Sequence, residues 1–412
     1  MDATVQQNQQ EGLPIFKNRN FILLFIGSLF SAPGYYVYLI GAEWLMLSLD
    51  DNRFYFGMLF FAASVPRLLL LTVGGIVADR FNKRTILFIS DFTRAILIFV
   101  LLLFLFMDAV TVWHLIVLAA LFGISDAFSY PVINSLTPMI LEKEQLQRGN
   151  SLIQMTTQIS PILGPALGGT LIALLGFKGV FSVAFVMLFI ASLTVLFMRL
   201  KQADATGEKK TPLEDLKEGF SYARKNELIM SIVFTAFFLN FFFTGPFSIG
   251  MPIIVKDIFA GNAISLAIVQ TAMGIGALIG AIFLASIKLK KQGLTVIISL
   301  IVLGVIYTSI GMSSYLYLTA GLVASLAFLL QLVNIPIMTI LQKSTEKRML
   351  GRMMSLLMTV STGLVPISYV ITSLLIAVGV SIQTIIIVSG IVVMFIAIYN
   401  LKNKKLRTLI SS

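Results

Sequence analysis

Runs of about twenty apolar residues recur along this chain from end to end, and nothing else constrains its fold as strongly. A stretch of that length is what an α-helix needs to cross roughly 30 Å of hydrocarbon. Hydrocarbon offers no water to backbone N–H and C=O groups, so each such stretch must be a helix. The runs fall near 21–49, 55–78, 85–106, 112–139, 151–175, 179–199, 229–255, 263–287, 293–312, 315–341, 353–378 and 381–401. They predict an all-α membrane protein of twelve transmembrane helices. The 412 residues are 58% hydrophobic and 12% charged, far from the balance of a soluble domain. There is no cysteine, which excludes disulfides, thiolate metal sites and cysteine nucleophiles. The single histidine, His114, excludes a histidine-rich metal site and reads as an interfacial anchor beside Trp113. The first twenty residues are polar and carry no signal-peptide pattern. No glycine-rich phosphate loop is present, so ATP-driven transport would need a separate subunit. The chain is expected to need no metal or cofactor and to draw on a proton gradient.

The net charge of +11 invites a nucleic-acid reading, but the distribution of the cations rejects it. Of 30 Lys and Arg residues, 25 fall on loops of one side of the predicted helices. Three, Arg53, Lys178 and Lys256, fall on the other, and two, Arg67 and Arg94, lie within spans. The positive-inside rule then places both termini, 1–20 and 402–412, in the cytoplasm. The expectation is a monomeric, multi-pass protein of the plasma (inner) membrane. Its basic loops meet anionic headgroups of the membrane lipids, and nucleic acid is not a partner.

The sequence also repeats. PVINSLTPMILEKEQLQRGNSLIQMT from Pro131 resembles PIMTILQKSTEKRMLGRMMSLLMT from Pro336. The offset drifts from 205 (336 − 131) through 204 (355 − 151) to 203 (379 − 176), as two small indels would produce. Two six-helix halves follow, 21–199 and 228–401, joined by a polar linker at 200–227. Thr211, Pro212 and Glu214 form a capping box with proline at the first helical position. Leu213, Leu216 and Phe220 then share one helical face. The linker reads as an amphipathic helix on the inner membrane surface, with a solvated tether as the alternative.

Between the second and third apolar runs stands GGIVADRFNKR, Gly74 to Arg84. Gly74 and Gly75 allow two helices to approach, and Asp79 at a helix end can hold a neighbour through a breakable charge. This segment resembles the loop G-x-x-x-D-R-x-G-R-R between the second and third helices of major facilitator superfamily transporters. The matching residues are Gly75, Asp79, Arg80, Lys83 and Arg84, with Asn82 where the family usually has glycine. GPALGG, at Gly164, Pro165, Gly168 and Gly169, resembles the superfamily motif associated with antiporters; packing by small residues is the plainer reading. With WLMLSL, KEGFSYARKN and LGRMMSLL in order, nearly the whole chain is similar to the drug- and siderophore-exporting branch, macrolide-efflux proteins among them. The resemblance implies the major facilitator fold: two six-helix bundles related about the membrane normal, a ligand site between them, and a proline-kinked fifth helix.

Ionisable residues inside spans are expensive and are functional candidates by default. They are Glu43, Arg67, Asp91, Arg94 and Asp126, all in the N-terminal half. Asp126, at mid-depth with Tyr130 and Asn134 on its face, is a proton-coupling candidate; a permanent pair with Arg67 is the competing reading. Glu43, on the face of Tyr36 and Ile40, is a second proton site, a cation-binding carboxylate or an outer-leaflet residue that reaches water. Arg67 is a charge partner for Asp126 or Glu43, or an anion site. Asp91 and Arg94 read as a local ion pair near the cytoplasmic end of their span. Gly245-Pro246 and Pro252 in span seven, and Pro33-Gly34 in span one, are expected to interrupt their helices beside a cavity. Tyr36, Tyr130, Asn134, Asn240, Phe243, Gln270, Gln331 and Asn334 would line it, an aromatic and amide wall suited to an amphiphile.

The function expected is secondary export of an amphipathic small molecule, drug-, macrolide- or siderophore-like, by proton antiport with alternating access. Carboxylates at Glu43 and Asp126 lean slightly toward cationic cargo. A lysophospholipid transporter and a proton-coupled importer are the near alternatives, and a transport-dead receptor a remote one. An enzyme is not expected, since only carboxylate chemistry remains at depth. The charge asymmetry is directly testable because the chain lacks cysteine. A membrane-impermeant maleimide applied to intact cells should label Asp108→Cys but not Glu142→Cys; the reverse pattern would invert the topology.

Overall fold

The computed structural model describes residues 15–142, 145–199, 212–287, 289, 291–346, 349–401 and 407. Nearly all of them are helical. The first half comprises α1 (Arg19–Leu49), α2 (Arg53–Arg80), α3 (Lys83–Phe106), α4 (Val112–Ile140) and α5 (Leu146–Leu196). A short α6 (Pro212–Lys225) leads to α7 (Glu227–Ile253), α8 (Ala263–Ser286), α9 (Gln292–Met312) and α10 (Leu316–Ser344). The chain closes with α11 (Leu350–Gly363), α12 (Val365–Ala377) and α13 (Ile382–Asn400). Asparagine sets many of the starts. The side chains of Asn18, Asn52, Asn82, Asn226 and Asn262 accept first-turn N–H groups of α1, α2, α3, α7 and α8, donors that have no partner inside the helix. Asn82 is thus the cap of α3, at the position where the resembling loop usually has glycine. At α4 the cap is Thr111, and His114 reaches back to the Thr111 N–H at 3.1 Å.

The 51 residues of α5 would span about 76 Å as one rod, more than twice the hydrocarbon thickness. They form two antiparallel arms. Gly176, at φ 65° and ψ −168°, turns the chain through a region that side chains rarely enter. Gly164 and Gly168 of the first arm lie against Tyr36 and Ile40 of α1. Phe181, Leu188 and Thr194 of the second arm lie against Gly41, Gly34 and Gly27. One arm climbs α1 and the other descends it. In the second half, α11 and α12 form one crossing broken at Leu364, and Gly379 at φ 92° turns into α13. With the arms of α5 counted separately and α11–α12 as one, the described residues make twelve crossings.

The halves pack by the same scheme. Helix α2 lies on α4 as α8 lies on α10. Helix α3 meets the second arm of α5 through Phe92–Phe189 and Phe99–Phe185, as α9 meets α13. Helix α1 runs along both arms of α5 as α7 runs along α12 and α13. Two six-helix bundles result, touching where α2 meets α12 and α5 meets α8. Large apolar side chains such as Leu69, Leu174 and Phe395 are exposed on the outside, as acyl chains require. Inside, close approach of small residues takes the place of hydrophobic drive.

The expected proline interruptions are corrected. Helix α1 runs unbroken through Pro33 and α7 through Pro246 and Pro252, because neighbours absorb the defects. Gly34 is buried against Met187 and Leu188. One turn before Pro246, the Ser368 hydroxyl of α12 accepts from Gly245 N–H at 3.0 Å and donates to the Phe241 carbonyl, bridging groups at the weakened turn. The chain departs from α geometry just past Pro252, in a π-turn at Ile254–Ile258. Pro165 likewise leaves the first arm of α5 helical, the one non-helical residue inside that helix being Gly176.

Residues 200–211, with the proposed capping threonine Thr211, lie outside the described residues. Helix α6 is docked on α11. Glu218 meets Arg352 at 2.6 Å, the Tyr222 hydroxyl accepts from Glu346 N–H at 3.4 Å, and Ala223 is buried while Phe220 is exposed. Two adjacent glycines give the test of the packing. A Cβ on Gly74 would strike the Ala127 carbonyl of α4, whereas a Cβ on Gly75 meets nothing within 4 Å. Gly74→Ala should lower stability by about 1–3 kcal/mol. Gly75→Ala should be neutral or raise it by about 0.4–1 kcal/mol. Thermal unfolding of the purified protein in detergent would check both.

Candidate functional site

The ionisable residues of the first bundle converge on one chain of contacts. Arg67 lies 14 residues into α2 and Asp126 14 residues into α4, each about 21 Å from the helix start and near mid-depth. Arg67 Nε lies 2.8 Å from Asp126 Oδ2. Arg94 Nη2 donates to Asp126 Oδ1 at 2.7 Å and to Ser129 Oγ at 2.7 Å. Arg94 Nη1 reaches Asp91 Oδ1 at 3.4 Å, and Ser31 of α1 donates to the same oxygen at 3.5 Å. The Arg67 guanidinium stands over the Tyr130 ring at 5.6 Å. Two acids and two arginines from three helices thus neutralise each other, as low-dielectric surroundings demand.

Three sequence expectations change here. Asp91 and Arg94 are a central part of the site: they sit eight and eleven residues into α3, about 12 and 16 Å along it, well away from the end of the span. Asp126 is held by two guanidiniums, one of which, Arg94, the sequence reading had assigned elsewhere. Ser129 and Ser31 were missed; the signal available was Ser129 three residues after Asp126, on the same helical face. Within the network the burial is uneven. The Arg94 side chain is 6% exposed, whereas those of Arg67 and Asp126 are 42% and 31% exposed. A half-exposed guanidinium at mid-depth is expected to line a water-filled cleft rather than to face lipid.

Glu43 occupies a separate place. It lies six residues from the end of α1, is 4% exposed, and accepts from Gln270 Nε2 of α8 at 2.8 Å. The reading in which it reaches water is therefore corrected. It sits in the seam between bundles, and no ion pair to it is formed among the described residues. Gln270 is its partner, so this amide faces an acid.

The remaining cavity candidates divide. Tyr130 and Asn334 are exposed, and Tyr36 and Gln331 partly so. Asn240 is partly buried, with its amide turned onto its own helix at the Ala236 carbonyl, 2.9 Å away. Phe243 is corrected: its ring packs at 5.0 and 5.3 Å from Phe247 and the fully buried Tyr307, inside the second bundle. The side chains of Asn134, Asp79 and Arg80 lie outside the described residues. Lys83 is partly buried, and Arg84 donates to the Leu196 carbonyl, tying the loop to the end of α5. Gly75, expected to allow close approach, has open space at its Cβ position; Gly74 makes the contact instead.

The GPALGG glycines work on two faces. Gly164 and Gly168 meet α1 within the bundle, while Gly169 meets Ala263 and Ala267 of α8 in the other bundle. That seam continues through Thr271 Oγ1, which donates to the Ile162 carbonyl at 3.4 Å, and through Phe60 against Tyr369 at 5.2 Å. It ends in a clamp absent from the sequence reading. Arg53 binds Asp257 bidentately at 2.7 and 2.9 Å, and Lys256 donates to the Leu47 carbonyl. This clamp lies at the end of the molecule that carries few cations. Removing Arg94 should leave Asp91 without its cation and Asp126 with one fewer donor. Arg94→Ala should cost about 3–5 kcal/mol, measured as loss of folded protein in denaturant titration; Arg67→Ala should cost less, being half exposed.

The comparisons with known proteins agree with this architecture. The chain matches the family model described as Major Facilitator Superfamily over residues 24–368. It is 28% identical over 356 residues to an uncharacterized MFS-type transporter of Bacillus subtilis, YkuC, covering 82% of this chain and 81% of that protein. It is 23% identical over 315 residues to macrolide efflux protein A of Streptococcus pyogenes, covering 73% and 75%. The staphyloferrin A transporter of Staphylococcus aureus is 24% identical over 275 residues, covering 66% of each chain. Among solved structures, a bacterial homolog of the human lysosomal transporter Spinster, inward-facing and occupied, superposes with TM-score 0.70 at 12% identity, covering 97% of this chain and 98% of that one. At that identity the likeness speaks for the fold alone. With twelve crossings in two like bundles and a family match across most of its length, this chain belongs to the Major Facilitator Superfamily of transporters.

Proposed function

We propose that this transporter exports an amphipathic small molecule across the plasma membrane by alternating access, in exchange for protons. The observation that carries the reading is the uneven seam between the bundles. At the cation-poor end the Arg53–Asp257 clamp, the Lys256 contact and the Gly169–α8 approach hold the halves together. At mid-depth Arg67 and Asp126 remain partly exposed. With the basic loops in the cytoplasm, that arrangement is a carrier closed outside and accessible from within, the state in which an exporter loads. Both termini are then cytoplasmic. The efflux direction is supported by the relatives, which include macrolide efflux protein A and a multidrug efflux pump, Tap, of Mycolicibacterium fortuitum, 24% identical over 321 residues.

The two carboxylates then take different roles. A proton carrier must lose its charge at one stage of the cycle, so it must not be locked to a cation. Asp126 has a guanidinium on each oxygen and serves to hold Arg67 and Arg94. Among the described residues Glu43 has only the Gln270 amide, and it sits in the seam that must part during rocking. Protonation of Glu43 would be coupled to closure because its partner belongs to the other bundle. Import by the same fold is distinguished by the direction of compound movement.

The test is proton movement in proteoliposomes on addition of a macrolide, a siderophore or a lysolipid. The wild-type protein should show compound-dependent proton flux, and Glu43→Gln should reduce it to background while still binding compound. Unchanged flux in Glu43→Gln would remove it as the coupling group. Compound movement without protons in the wild-type protein would sink antiport itself.

A further inference from the structure

Among the ionised groups of the mid-depth network, Arg67 holds its spare donors at an exposed face, whereas Arg94 Nε, which also has no partner, is buried. Arg67 carries five N–H bonds, and its nearest approach to Asp126 is Nε, at 2.8 Å from Oδ2. Neither Nη group donates to a described residue, and the side chain is 42% exposed at mid-depth. Asp126, by contrast, has one oxygen on Arg67 and the other on Arg94, and Asp91 is taken by Arg94 and Ser31. Every acid of the network is engaged, so the donors left to a ligand are those of one guanidinium fork. An aromatic ring flanks it. Tyr130 of α4 lies beneath it at 5.6 Å. Across the seam, Phe60 of α2 packs on Tyr369 of α12 at 5.2 Å.

We infer that Arg67 is an anion subsite of the cleft, taking the carboxylate, sulfonate or phosphate head of an amphipathic substrate whose apolar body lies on the exposed Tyr130. A planar fork with two free Nη groups matches such heads with two parallel hydrogen bonds, which a lysine or an amide does not reproduce. The aromatic face buries the apolar body with few directional demands. This reverses the slight lean toward cationic cargo that the carboxylates alone suggest, because both acids beside the fork are already neutralised. The inference rests on the proposed transport function for its biological meaning, but the binding geometry stands separately from it.

The experiment uses three probes with one tail: N-lauroylglycine, its neutral amide, and dodecyltrimethylammonium. Equilibrium binding is measured on the full-length protein in phosphatidylcholine nanodiscs, and gradient-driven movement in proteoliposomes. The carboxylate should bind about tenfold more tightly than the amide, the scale of one charge-assisted hydrogen bond, and the cation least. Arg67→Gln should bring the carboxylate-to-amide ratio close to one; Asp126 keeps Arg94 in that variant, so its acid is not left unpaired. Arg67→Lys should recover only part of the preference. Adding phosphatidylglycerol separates the two sources of the anion: competition with the carboxylate marks a lipid headgroup as an occupant, and no competition marks a free substrate, either outcome retaining the subsite. Equal binding of carboxylate and amide by the wild-type protein, or preference for the cation, overturns the inference. A preference that survives in Arg67→Gln also overturns it. Charge-selective binding without gradient-driven movement would leave the subsite standing and remove the export function; movement blind to charge would do the opposite.

Discussion

Charge neutralisation at mid-depth is the interaction on which the rest of this structure depends. Four ionised side chains from α2, α3 and α4 are buried or half-buried where an isolated charge is several kcal/mol out of place. They are tolerable because Arg94, nearly inaccessible, is shared between Asp91 and Asp126, and Asp126 is shared again with Arg67. The chain of contacts binds the three helices to each other and, through Ser31, to α1. It also fixes which group is exposed. Arg94 is enclosed by its partners, so the guanidinium at the cleft is Arg67, and its orientation is set by Asp126 and the Tyr130 ring beneath it.

The seam between bundles is built from a different material. Its contacts are small residues and single polar pairs: Gly169 on Ala267, Gly57 on Ser373, Gln270 on Glu43, Arg53 on Asp257. Such contacts can close without large side-chain rearrangement and can open without stranding a large hydrophobic core. Within bundles the contrast is plain. Tyr38 stacks on Phe122 at 4.2 Å, and Tyr307 is wholly enclosed, so each bundle moves as a unit. Of the two acids in the parting surface, Asp257 is paired with Arg53 and Glu43 with the Gln270 amide, and the network of four stays inside a single bundle. In the proposed cycle, proton-linked rocking and substrate holding would fall to distinct groups, Glu43 in the seam and Arg67 within the first bundle.

Proline positions misled the sequence reading for a physical reason. A proline removes one backbone donor and crowds the preceding turn, which in isolation breaks a helix. At Pro246 the hydroxyl of Ser368, more than 120 residues away in sequence, bridges the groups next to the defect. At Pro33 a neighbouring helix packs on the following glycine. The sequence holds no local trace of either remedy. Turn glycines behaved oppositely: Gly176 and Gly379, found equivalent by the repeat alone, are the two glycines with positive φ among the described residues, because the backbone demand there is local.

The sequence by itself determined the membrane class, the number of crossings, the internal repeat and the family. These follow from run length, period and loop charge, each a property of the chain before it packs. It also singled out Glu43, Arg67, Asp91, Arg94 and Asp126, since an ionisable residue in an apolar run is conspicuous without coordinates. What it could not assign was partnership. Whether Asp126 meets one arginine or two, whether Glu43 faces water or Gln270, and that Arg53 would find Asp257 204 residues later depend on the relative rotation and height of helices. Those are settled by side-chain packing across distant segments, where no periodicity in the sequence reaches.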